Sequence, residues 1–130
     1  DPYRVAELNA ADVAVTKVAP LGGVKRLMQI SRDLGLKLTV ASALDTAVGI
    51  HAGLIAAKVT GSQAAGLATQ RLFVEDVAEP FGFVDGRMRI SEVAPDPDRL
   101  AALAAPGQRK DWWFQRLHRC MGYFSAESGM

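Results

Sequence analysis

Asp12-Val13-Ala14-Val15-Thr16-Lys17-Val18-Ala19-Pro20-Leu21-Gly22-Gly23 is the stretch on which the fold turns. Ala11 to Val18 is short and β-branched, and it is closed by Pro20 and a glycine pair, which predicts a strand. Side chains alternate along a strand, so Val13, Val15 and Lys17 share one face. If the valines line an interior, Lys17 enters the same interior at the strand's C-terminal end. In parallel α/β folds ligands and catalytic groups gather at that end. A lysine in low-dielectric surroundings there stabilises an anion or gives up its proton more readily. The competing reading is a solvated lysine where a strand leaves the core.

Downstream, Val24, Leu27, Met28, Ile30 and Leu34 place apolar groups mostly on one side of a helix, with Gly35 as its stop. Leu36 to Val40 reads as a second strand. Asp45 or Thr46 is placed to cap a third helix that runs to about Val59 and is broken by Gly61-Ser62. Ala64 to Thr69 reads as a weaker third strand. Upstream, Asp1-Pro2 before Tyr3 to Leu8 reads as a cap, a proline at the first helical position and a helix already under way. The chain is therefore expected to begin inside something larger. Alternating helices and strands imply parallel strands with helical crossovers, and about three strands are too few to close a barrel.

From Leu72 the pattern changes. Phe81, Phe83, Asp85-Gly86, Met88 and Ile90 predict a hairpin on a two-residue turn. Pro95-Asp96-Pro97-Asp98 opens a short helix, which Pro106-Gly107 ends. A last helix over about Gln108 to Tyr123 carries Trp113, Leu117, Cys120, Met121 and Phe124 at helical spacing. Trp112-Trp113 with its basic neighbours suggests nucleic-acid stacking, but aromatic residues on an amphipathic helix are expected as core with the arginines as its wet face.

Bulk properties narrow the function classes. Of the 130 residues, 49% are hydrophobic and 22% charged, which supports a buried core and argues against disorder. A formal net charge of +1 gives no footprint for nucleic acid or an anionic membrane, although the last third is locally basic. A lone cysteine, Cys120, leaves no internal disulfide framework and fits a reducing cytoplasm. No apolar run approaches the roughly 20 residues that span a bilayer.

Other candidate groups each carry a bland alternative. Gly22-Gly23 lets a ligand approach a helix start, or simply makes a tight turn. Ser42 is placed to donate to a carboxylate, or only to help begin a helix. His51 reads as a packed histidine, and His118 and Cys120, two apart on a helix, do not face one another as metal ligands would.

The Lys17 stretch, followed about one βα unit later by Ala41-Ser42-Ala43-Leu44-Asp45-Thr46-Ala47-Val48-Gly49, resembles the sixth and seventh strands of the o-succinylbenzoate synthase family of the enolase superfamily. The tail is similar to one branch of that family as well, in Leu72-Phe73, Glu75-Asp76-Val77-Ala78-Glu79-Pro80, Val84-Asp85-Gly86, Pro95-Asp96-Pro97 and Trp112-Trp113. The lysine motif recurs across the superfamily, and the tail narrows the assignment.

The resemblance implies an α/β fold: the C-terminal part of an enolase-type (β/α) barrel, about strands 6–8, plus a C-terminal hairpin and helices. Residues 1–71 would belong to the barrel, and residues 72–130 would pack with it and with a capping region. It implies a Mg²⁺-dependent lyase that dehydrates a cyclohexadiene carboxylate in menaquinone synthesis. There, a second-strand lysine takes the proton next to the carboxylate and Mg²⁺ holds the enediolate. Lys17 matches the opposite lysine, which faces the ring and stabilises the anion. Gly22, Gly23, Ser42, Gly66, Leu67, Ala68 and Thr69 match positions that line the substrate's side-chain carboxylate pocket. The second-strand base and the metal ligands fall outside this chain, so the 130 residues are expected to be inactive alone and to need the missing N-terminal portion of the barrel. Ala41 stands where relatives often have serine. Ala68, Gln70 and Arg71 occupy a stretch that is usually glycine-rich, and Arg71 is expected to crowd the pocket.

Two alternatives stand beside the synthase. An N-succinylamino-acid racemase would use the same two-lysine site. A non-catalytic remnant of a disrupted reading frame would show stop codons in the DNA upstream of Asp1.

Overall fold

A computed structural model describes residues 2–62 and 64–127, with side chains described as far as residue 123. Asp1, expected as a cap, and the side chain of Phe124 lie outside the described residues. The chain divides into two compact units, Asp1–Asp96 and Pro97–Met130.

In the first unit the order is α1 (Pro2–Glu7), β1 (Val13–Lys17), α2 (Val24–Leu34), β2 (Lys37–Ala41) and α3 (Ala47–Thr60). Strands β1 and β2 pair in parallel, with Val13 beside Lys37, Val15 beside Thr39 and Lys17 beside Ala41. The expected boundaries hold to within two or three residues. Gly35 and Gly61 end α2 and α3 in the left-handed conformation, with φ of 62° and 68°, which glycine adopts without steric cost.

The predicted third strand is reduced to one parallel bridge between Ala41 and Gly66. There Gly66 donates its N–H to Val40 and accepts from Ser42. Ala64, Ala65, Leu67 and Ala68 bring no β-branched or aromatic residue to extend the pairing. Residues Thr69–Leu72 then tighten into a 3₁₀ turn.

Leu27, Leu38, Val40, Ile50, Leu54, Ala56, Ala57 and Leu67 form the core, where the sheet meets α2 and α3. Leu38 and Val40 point to the helices from β2, while Thr16 is buried and Ala14 packs against the core from β1. The opposite sheet face is uncovered, and there Val13 is 46% and Val15 68% exposed.

The Asp-Gly hairpin forms as expected. Strands β3 (Phe83–Val84) and β4 (Arg87–Met88) pair antiparallel. Asp85 and Gly86 both take positive φ, 50° and 72°, which is the two-residue turn that suits the twist of the strands.

The second unit holds α4 (Pro97–Ala102) and α5 (Gly107–Glu127). Trp112 and Trp113, expected as core, are instead 39% and 51% exposed. Within the unit, six-residue α4 has too little apolar surface to cover them. They pack edge to face on each other, with ring centroids 4.7 Å apart, and Arg109 lies over Trp112 at 4.6 Å. No helix among the described residues is long and apolar enough to cross a membrane.

Candidate active site

Lys17, Ala41 and Gly66 stand in one row at the C-terminal ends of the parallel elements, since Lys17 pairs with Ala41 and Ala41 bridges Gly66. Lys17 is exposed on the helix-free face with Val13 and Val15, as strand alternation requires. Those valines are not packed, because no layer covers that face in the first unit.

The connection after β1 is a tight turn. Gly22 donates to Ala19 and Gly23 to Val18, so the N–H groups of the glycine pair are spent inside the loop. Both glycines have positive φ, 90° and 107°, and a β-carbon on either would meet nothing within 4 Å. The pair is therefore required by backbone conformation and leaves open space beside it.

Ser42 is buried, and its hydroxyl donates to the Gly66 carbonyl at 3.0 Å while its backbone N–H donates to the same oxygen at 2.9 Å. The hydroxyl proton expected to meet a carboxylate is thus engaged in holding Gly66. Leu67 turns its side chain into the core beside Gly53. Ala68 is exposed, and Thr69 Oγ1 accepts the Asp45 N–H at 3.3 Å.

Neither Asp45 nor Thr46, the two caps the sequence predicts, caps α3 with its side chain. Thr46 occupies the cap position without a side-chain hydrogen bond, and Asp45 Oδ2 accepts from Ala43 at 2.8 Å. The Ala47 N–H donates instead to Asp76 Oδ2 at 2.8 Å, from a loop 29 residues onward. Gln70, also unforeseen, is 3% exposed and is bonded twice to the Phe81 backbone. Neither has a local sequence signal, because both act across the loop that follows Leu72. Arg71 lies over the Phe83 ring at 5.7 Å, drawn toward the hairpin. His51 stacks on Phe81, consistent with a packed histidine.

Gly49 makes room for the Asp45 turn: a β-carbon built on it would sit 2.7 Å from Asp45 Cβ, which cannot swing away from its own backbone. Gly49→Ala is expected to destabilise the chain by about 1–3 kcal/mol, outweighing alanine's gain in helix propensity of about 1 kcal/mol. A urea midpoint that is unchanged or higher would contradict this packing.

No protein-family model matches the chain. The chain is 51% identical over 122 residues to an o-succinylbenzoate synthase of Mycolicibacterium smegmatis, covering 92% of itself and 38% of that enzyme. It is 50% identical to an o-succinylbenzoate synthase of Mycobacterium ulcerans, covering 99% of itself and 40% of that enzyme. It therefore spans about two fifths of the length of these relatives. Among solved structures it is similar to the muconate lactonizing enzyme of Pseudomonas putida, with a TM-score of 0.67 and 26% identity over 80% of this chain and 32% of that one. It also superimposes on an N-succinyl Arg/Lys racemase of Bacillus cereus, with a TM-score of 0.67 and 20% identity over 78% of this chain and 30% of that one, which concerns the fold alone. The fold is that of part of an enolase-type barrel.

Proposed function

We infer that the chain belongs to the o-succinylbenzoate synthase family and is the C-terminal portion of such an enzyme, a lyase that dehydrates a cyclohexadiene carboxylate. One observation carries this reading. The row Lys17–Ala41–Gly66 lies at the C-terminal strand ends, on the sheet face free of helices, in a chain about half identical to those synthases. In a closed barrel the helix-free face is the interior and the C-terminal strand ends form the active-site mouth.

In this reading Lys17 holds its ammonium against the substrate ring, where negative charge spreads as the proton next to the carboxylate is removed. A fixed cation in a water-poor site stabilises that charge without reorganising. Gly22 and Gly23 leave space at the mouth, and Ser42 and Thr69 fix the backbone around Gly66 and Asp45 against which the side-chain carboxylate lies. Among the described residues no three His, Cys, Asp or Glu side chains are grouped to hold a metal ion. In this reading the Mg²⁺ ion and the proton-abstracting base would be supplied by the N-terminal portion of the barrel. We place the enzyme in a reducing cytoplasm, in keeping with the single cysteine.

Racemisation of N-succinylamino acids is the second reading, because the same pair of lysines facing each other across an enolase-type barrel would serve it. Assaying the intact protein on both substrates separates the two. Dehydration is expected to have the higher kcat/KM, and faster racemisation would reverse the assignment.

A further inference from the structure

Between Leu72 and Phe81 the chain forms a loop closed at its neck and pinned near its middle. At the neck the Gln70 amide donates to the Phe81 carbonyl at 2.7 Å and accepts the Phe81 N–H at 3.0 Å. Gln70 is 3% exposed, so both bonds are shielded from water. In the middle, Asp76 reaches the first turn of α3 and accepts the N–H of fully buried Ala47. Asp76 Oδ1 is buried and has no hydrogen-bond partner among the described residues.

A buried carboxylate oxygen without a partner is costly and calls for an explanation. Part of the cost is offset because a negative group at a helix N-terminus meets the exposed N–H groups and the positive end of the helix dipole. The segment that Asp76 holds supplies a further reason. Leu44 takes φ of 62°, which a bulky side chain rarely adopts, so residues 43–46 are under backbone strain and relax unless they are held. Two hydrogen bonds are donated from within the segment, Ala43 to Asp45 Oδ2 and Asp45 to Thr69 Oγ1, and a third fixes its C-terminal end, Ala47 to Asp76 Oδ2. Two of these come from residues that follow Gly66.

We propose that Asp76 is a positioning residue, which fixes the Ser42–Thr46 loop in its strained form and thereby sets the affinity of the neighbouring pocket for the substrate's side-chain carboxylate, with Gln70 holding Asp76 in place. The proposal rests on the functional reading above. It assigns Asp76 no contact with substrate. In Asp76→Asn the amide oxygen takes the Ala47 N–H and the NH₂ falls where the unpartnered oxygen now sits, so the tether survives. In Asp76→Ala it is lost.

The test uses the intact enzyme that carries these residues, with two readouts on each variant. In hydrogen exchange, Asp76→Ala should speed amide exchange over residues 43–48 by about tenfold, the ratio expected from loss of an N-cap, and leave β1 and β2 unchanged. In steady-state kinetics on the cyclohexadiene carboxylate, Asp76→Ala should raise KM by about tenfold with kcat within about threefold, the pattern of lost uniform binding. Asp76→Asn should restore most of both. Unchanged exchange over 43–48 overturns the tether. Faster exchange with a fall in kcat and an unchanged KM reduces Asp76 to a structural role and overturns the positioning claim. Failure of the unsubstituted enzyme to turn over or bind this substrate counts against the functional reading instead, and the exchange result still decides the tether.

Discussion

The purified 130-residue chain is expected to give no dehydration of the cyclohexadiene carboxylate above a no-enzyme control, with Mg²⁺ present. The reaction needs a group that removes the proton and a cationic partner that holds the carboxylate as charge builds on it. Each is a large contribution: a positioned acid or base alone supplies about 10²–10⁴-fold, and loss of both leaves little over solution. Lys17 is the sole lysine in the row at the strand ends. The other lysines of the first unit are Lys25 on α2, Lys37 at the far end of β2 and Lys58 on α3. A lone cation can stabilise an anion, but it cannot also serve as the opposing base. Turnover by the chain alone would show that some group within it abstracts the proton and would overturn the division of labour proposed for Lys17.

In the intact enzyme, Lys17→Met should lower kcat by about 10²–10³-fold, the cost of removing one preorganised stabiliser of a developing anion. KM should change much less, because the charge it meets is greatest in the transition state. Lys17 is exposed in this unit, so its loss leaves the sheet's packing intact and the effect is not one of folding. Lys37→Met is the matched control: Lys37 lies on the same open face but at the opposite strand end, beside Val13. It should leave kcat within about threefold. A comparable fall in both variants would mean that general charge on this face matters and position does not.

What the sequence disclosed and what it hid divide along one line. Elements governed by local periodicity and stop signals were legible: Val13 to Lys17, the apolar stripe from Val24 to Leu34 ended by Gly35, and the Asp85-Gly86 turn. Lys17's place on the face of Val13 and Val15 followed from alternation alone. Features that depend on contacts distant in sequence were not legible. The cap on α3 comes from Asp76, and Gln70 is buried to close a loop, because tertiary geometry overrode the nearer candidates Asp45 and Thr46. Residues 64–69 have the look of a strand in sequence, but one bridge at Gly66 is all the pairing their mostly small side chains support. Trp113 has the spacing of a buried stripe with Leu117 and Met121, and spacing does not reveal whether anything is there to cover it.

The structure of the intact enzyme with o-succinylbenzoate bound tests the central claim most directly. The product ring is predicted to lie at the C-terminal strand ends with Lys17 Nζ over its face, within about 6 Å of the centroid as a cation–π contact requires. The carboxylate side chain should reach toward the Ser42 loop and Gly66. A product bound on the helix-covered side of the sheet, or at the mouth with Lys17 turned away into solvent, would contradict the account.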